Sequence, residues 1–266
     1  MMNRISIAVC VVCGLATAVD AQVEVSLRVQ PSRAVMYEPV IAHVRIQNNT
    51  GSEITLDDSG ADGRLWMEIE RVPGRPVRQR EPKLLAEPII IPPHESVTRR
   101  INISRAYDLR STGQFNVRAR VNLAGRSLTS GRAFLDLVPG MEVTRLSGAA
   151  GPEGSQPRLY RLLTLNRDRG EHLFLRVDDE DAGICYAVVH LGSLVRIQPP
   201  KMRIDESNHL TILHQTGPAR YLYHVFTPNG QLVQRRLYTS EERGVTLERS
   251  ANGNYIVSGA AASITD

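Results

Sequence analysis

The sequence predicts an all-β protein, and three observations predict it. Apolar and polar residues alternate one by one along most of the chain. Glycine, proline, asparagine and aspartate interrupt that alternation at short intervals. No stretch beyond residue 21 carries the spacing of an amphipathic helix. The length suits two β-rich units of about 100 to 130 residues each.

Taken in order, residues 1–21 read as a secretory signal peptide. Arg4 precedes an apolar run from Ile5 to Val19, and Val19-Asp20-Ala21 forms a cleavage-type ending before Gln22. The run is too short for an ordinary spanning helix, and neither Cys10 nor Cys13 has the flanking pattern of a lipid-anchored cysteine. A secreted or periplasmic location is therefore expected. Cleavage would leave Cys185 alone, so no internal disulfide is expected and stability must come from burial and backbone pairing. Cys185 sits in ICYAVV and reads as a small strand hydrophobe.

The formal net charge is +4, and cleavage removes Arg4 and Asp20 together, leaving it unchanged. Basic residues are interspersed with acidic ones and lack aromatic interleaving, which argues against nucleic acid as partner. No later stretch suits a transmembrane segment.

Residues 22–143 are expected to form a β-sandwich. Val23, Val25, Leu27 and Val29 alternate with Glu24, Ser26, Arg28 and Gln30, and Pro31 breaks the strand. Val40, Ala42, Val44 and Ile46 point inward while His43, Arg45 and Gln47 point outward, until Asn48-Asn49-Thr50-Gly51 makes a turn. The pattern continues through Leu65, Met67 and Ile69, then Phe115, Val117, Ala119 and Val121, then Ala133, Leu135 and Leu137. About seven or eight short strands, each with one apolar face, suit two sheets packed face to face.

YEPVIAHVRIQNNTGSEITL, followed by IPPHESVTRRINISRAYDLRSTGQFNVRARV, resembles the immunoglobulin-like modules of exported bacterial proteins. The resemblance rests on Glu38-Pro39 before a strand, the Asn49-Thr50-Gly51 turn, and Tyr107-x-Leu109 leading to Gly113-x-Phe115. It implies a fold shared with adhesive, spacer and macroglobulin-type domains and transfers no catalytic residue. Two local features stand out within this half. Arg75, Arg78 and Arg80, with Arg71 and Lys83, form a basic loop suited either to solvent or to an anionic partner. Asp57, Asp58 and Asp62 lack the spacing of a calcium loop.

GAAGPEGSQP is small and turn-rich, so a linker is expected over 144–157, with a second β-rich domain over 158–266. There EHLFLRV and NHLTILH, each followed by a Gly-x-Leu-Val ending, recur at a blade-like period and resemble β-propeller blades. The copies are too few to close a ring. Either the half closes on itself or an open β edge supports oligomerisation. Asp178 to Asp181 read as a solvated turn.

His209, His214 and His224 pose the question of a metal site. His209 and His214 lie an odd number of residues apart, so a regular strand sends them to opposite faces. With a hairpin tip at Gly217-Pro218, Thr211 falls opposite His224 and places His209 diagonally near it. Two histidines fall short of a zinc site, so neither metal nor cofactor is expected. No catalytic residue is assigned, because no nucleophile elbow, phosphate loop or metalloprotease motif occurs.

The expected function is that of an exported, non-enzymatic binding or structural protein with a protein or polysaccharide partner at the envelope. Two alternatives stay open. One is a periplasmic glycan hydrolase; the other is a carbohydrate-binding module that stacks sugars on Tyr221 or Tyr223.

Overall fold

The computed structural model describes residues 22–57, 63–150, 155–168, 170–240 and 244–262. The expected signal peptide lies outside them, as do Asp58 and Asp62. Strands make up 64% of the described residues and helix 2%, so the all-β class holds.

The first half contains β1 (Val23–Gln30), β2 (Arg33–Val35), β3 (Ile41–Asn48), β4 (Ile54–Leu56), β5 (Gly63–Arg71), β6 (Arg75–Pro76), β7 (Ile89–Ile91) and β8 (Ser96–Asn102). A one-turn helix, α1 (Ile103–Ala106), precedes β9 (Gly113–Leu123), β10 (Arg126–Thr129) and β11 (Ala133–Val138). One sheet orders β1-β3-β8, a second orders β2-β11-β9-β5-β6 with β10 also on β9, and β4 pairs with β7 as a separate two-stranded sheet; the first two form the layers. Their inward faces share one core, in which Val25, Val44, Ile46 and Ile101 of the first meet Leu65, Phe115, Val117 and Leu135 of the second. Alternation dictates this layering: the strand residues between these apolar ones have no inward position to occupy.

Tyr107 explains one of the sequence motifs. Its ring is buried, and its hydroxyl both donates to the Met67 carbonyl (2.9 Å) and accepts from the Met67 N–H (3.2 Å). The end of α1 is thereby tied to β5 across both layers.

The second half contains β12 (Met141–Ala150), β13 (Gln156–Arg167), β14 (Gly170–Asp179), β15 (Ile184–Ser193), β16 (Lys201–Ile204), β17 (Leu210–Gly217) and β18 (Arg220–Phe226). β19 (Leu232–Thr239), β20 (Thr246–Arg249), β21 (Tyr255–Ser258) and β22 (Ala261–Ala262) complete it. Two antiparallel sheets result, β12-β13-β14-β15 and β16-β17-β18-β19-β22, with β20 and β21 as a separate hairpin. Leu173, Leu175 and Val177 of β14 share a core with Leu210, Ile212 and Phe226 of β17 and β18. The two blade-like segments thus lie in different sheets that face each other, and no ring of blades closes among the described residues. Among the described residues β22 pairs with β19 at Tyr238 and Thr239 alone.

The linker expected over 144–157 is instead largely strand. β12 and β13 pair from Met141↔Thr164 to Ala150↔Gln156. The small residues there answer to packing: a Cβ on Gly148 would lie 2.6 Å from Ile204 Cδ1 and 2.7 Å from Tyr160 Cε2. A glycine that reads as a hinge is a seat for Tyr160.

The halves also pack on each other. Val35 is buried with Leu163, Leu165, Phe174 and Val188, flanked by Tyr37 and Val138. Beside this contact Arg167 Nη1 donates to Glu38 Oε1 at 2.7 Å, while Glu38 Oε2 accepts the Val35 N–H at 3.0 Å. Both side chains are nearly buried, at 11% and 7% exposure. Burial lifts the Glu38 carboxyl above its ordinary range, against the opposing pull of Arg167.

Candidate functional site

Next to this contact the halves diverge and leave an open recess of about 740 Å³. One wall is the end of β1 and the crossing to β2, from Arg28 to Arg33; the other is Asn166, Arg167 and Asp168 with His172 and His190. Pro31 ends β1 and sends the chain to the other layer, which brings Arg33 to the rim. The β13–β14 turn is tight, with Arg167 paired to Gly170 and Asp168 in the left-handed region at φ 55°.

β14 and β15 pair with an irregularity after Leu173. Leu173 faces Gly192 and Phe174 faces His190, so Leu191 is the extra residue and is buried in the core. This brings the two imidazoles together: His172 Nδ1 lies 2.9 Å from His190 Nε2, with ring centroids 5.0 Å apart. One ring donates and the other accepts. Burial, then the Arg167 charge, lowers the pKa of His172; the same causes, with His172 and Arg235, lower that of His190 to about 4. His190 keeps an edge open to solvent, yet both rings are neutral near pH 7.

The surrounding charge is mainly positive. Arg33 bonds the Asn166 carbonyl (3.3 Å) and pairs with Asp136 (3.2 Å), and Arg28 has no ion pair among the described residues. Among the described residues Asp168 is the only carboxylate lining the recess. Among the described residues no group of three metal-type ligands converges. The arrangement can therefore offer hydrogen bonds and positive charge to a ligand. Its described lining holds one carboxylate, where glycoside hydrolysis uses a pair. A larger recess of about 900 Å³ lies against Val23, Ile54, Leu123 and Leu128, with Glu53 and Arg126 the titratable residues among its described lining.

The residues singled out from the sequence lie elsewhere. His209 precedes β17, with its Nδ1 3.8 Å from Asp205 Oδ2, and does not meet His224. The hairpin register is Ile212↔His224 rather than Thr211↔His224. This one-residue difference exchanges faces and puts His214 against His224, ring centroids 5.6 Å apart and stacked. Both rings are buried, and His214 Nδ1, His214 Nε2 and His224 Nδ1 have no hydrogen-bond partner. The Ser193 backbone is near enough to favour a charged His214 without being aligned for a bond. Burial lowers the pKa of His214 to about 3 and that of His224 to about 4.

Tyr221 and Tyr223 are 3% and 6% exposed, packed with Val245 and Leu247 beneath the β20–β21 hairpin. The Tyr223 hydroxyl donates to the Tyr255 carbonyl at 2.8 Å. Neither tyrosine can act as a platform for a sugar. Arg75, Arg78 and Arg80 are exposed on a segment pinned by Arg80 N–H to Ala106 O (2.7 Å) and Asp108 N–H to Arg78 O (2.9 Å). The acidic turn is only partly solvated. Asp178 and Asp179 are buried, with Asp178 paired to Arg176 (2.8 Å) and Asp179 3.4 Å from Arg158.

Sequence reasoning missed Arg28, Arg33, Arg167, His172 and His190 as a group. Antiparallel pairing of EHLFLRV with YAVVHLGS would have placed the two histidines within one position of each other. The approach of β1 from the other half had no local signal.

No family model matches the chain, and no curated protein does. Solved structures give distant likenesses. Spo0M, a sporulation control protein from Bacillus subtilis, aligns at TM-score 0.31 and 9% identity over 64% of this chain and 89% of its own. The periplasmic chaperone SfaE aligns at 0.22 and 13% identity, over 79% and 97% respectively. A DUF4784 family protein from Bacteroides caccae aligns at 0.20 and 9% identity, over 91% and 86%. Likeness at these scores carries no functional argument.

Proposed function

We propose that this chain is an exported, non-enzymatic binding protein of the cell envelope. On this reading an immunoglobulin-like β-sandwich is joined rigidly to a second two-layered β domain, and the recess between them receives the partner. The carrying observation is the recess itself: both halves wall it, it gathers Arg28, Arg33 and Arg167 beside a neutral histidine pair, and it holds a single carboxylate. The leader-like residues 1–21 supply the argument for export.

Expression of the full chain in a bacterial host tests this reading. The exported fraction is expected to contain protein beginning at Gln22 that co-sediments with isolated envelopes, and Arg33→Glu combined with His190→Ala is expected to abolish co-sedimentation. A chain retained in the cytoplasm with its first residues intact overturns it. So does turnover of glycan substrates by the purified protein.

A further inference from the structure

The outward face of the β1-β3-β8 sheet carries exposed side chains and is basic. Arg28 pairs with His43, and His43 with Arg100, so these three residues form one row across the strands. Arg28 and Arg100 stand two strand spacings apart, about 10 Å. Arg45, in the next row between Ser26 and Thr98, is also exposed. Arg28 and Arg100 have no ion pair among the described residues, and Arg45 reaches the Gln47 side chain at 3.5 Å. The only carboxylate on the three strands is Glu24, toward the opposite end of β1 from Arg28.

Gathering like charges on one flat face disfavours folding, so the arrangement calls for a compensating partner. Arg28 also lines the recess between the halves, which makes face and recess one continuous surface. Three features select the partner's chemistry. No exposed large hydrophobic side chain lies on these strands to enter a lipid layer. No aromatic ring apart from the His43 imidazole is available to stack a base. Beside Arg45 in its row stand Ser26 and Thr98, short hydrogen-bonding groups suited to hydroxyls.

We infer that this face binds an acidic polysaccharide, whose carboxylate or sulfate groups pair with Arg28, Arg45 and Arg100. The inference rests on the binding-protein reading above and names its ligand class. Each contact is a charge-assisted hydrogen bond that releases counterions, so binding falls as salt rises.

The test uses purified full chain with polygalacturonate, dextran sulfate and neutral dextran, compared with phosphatidylglycerol vesicles and a single-stranded oligonucleotide. Binding to either or both of the charged polysaccharides and not to neutral dextran is expected, and their relative affinities separate carboxylate from sulfate recognition. Arg28→Ala, Arg45→Ala and Arg100→Ala together should weaken that binding about tenfold or more and flatten its salt dependence. All three positions are exposed, so the fold is expected to survive. The Arg75→Ala, Arg78→Ala and Arg80→Ala combination removes the same charge elsewhere and should change affinity by less than about threefold.

Equal losses in the two triple variants would reduce the effect to net charge and overturn the inference. An unchanged face variant would do the same. So would tighter binding of vesicles or oligonucleotide through the same arginines. If export and envelope association persist while polyanion binding fails, only this inference falls.

Discussion

The second half holds two histidine pairs of the same origin, cross-strand neighbours on antiparallel ladders, and they live in different physical worlds. His172 and His190 share a hydrogen bond at the edge of an open recess. His214 and His224 stack inside a core where three of their ring nitrogens find no partner. The comparison teaches that pairing geometry alone does not assign a role to a histidine. What differs is the layer beyond the sheet: a neighbouring half that stands off in one case, a facing sheet in the other.

Acid should act on both pairs but more strongly through the buried one, because His190, though also lowered to about 4, keeps an edge in solvent that screens its contribution. The buried rings have folded-state pKa values of about 3 and about 4, below the ordinary 6.5. The unfolded chain therefore binds more protons below pH 6.5, so stability is complete above that value and is lost as pH falls toward 4. The two shifts together correspond to a loss of several kcal/mol between pH 7 and pH 4. Urea unfolding at a series of pH values measures it, against a His214→Leu, His224→Leu variant expected to lose markedly less. Parallel curves would show that groups other than the buried pair govern acid stability.

Next in size is Arg167→Met. It strands a nearly buried Glu38 and should cost about 3–5 kcal/mol in chemical denaturation, with part recovered by adding Glu38→Gln. The same substitution removes a positive charge beside the recess pair, so the NMR titration of His190 should move up from about 4. The smallest effect is expected for His190→Ala, which leaves stability within about 0.5 kcal/mol because the ring keeps solvent on one side. A loss comparable to that of His214→Ala would erase the distinction between the pairs.

Much of the fold was legible because one-sided burial writes a period of two. In β3, Ala42, Val44 and Ile46 are buried beneath His43, Arg45 and Gln47, as the alternation implies. In β17 the code fails: Leu210 to Gln215 are all buried, since a facing sheet covers one side and the β20–β21 hairpin the other. There the sequence could not say which face each histidine took, and a hairpin register displaced by one residue exchanged His209 for His214. The small residues of β12 misled for a related reason, because a glycine making room for Tyr160 and one making a hinge are the same letter. The recess was illegible because its walls come from residues more than 130 positions apart, Arg33 and Asn166 among them.

The clasp formed by Glu38, Arg167 and the apolar cluster around Val35 has one more consequence. It holds both jaws at their base before any guest arrives. On the binding-protein reading, a visitor to the recess would meet a preformed template, so that association would forfeit little conformational freedom and affinity would be governed by how well the guest fits.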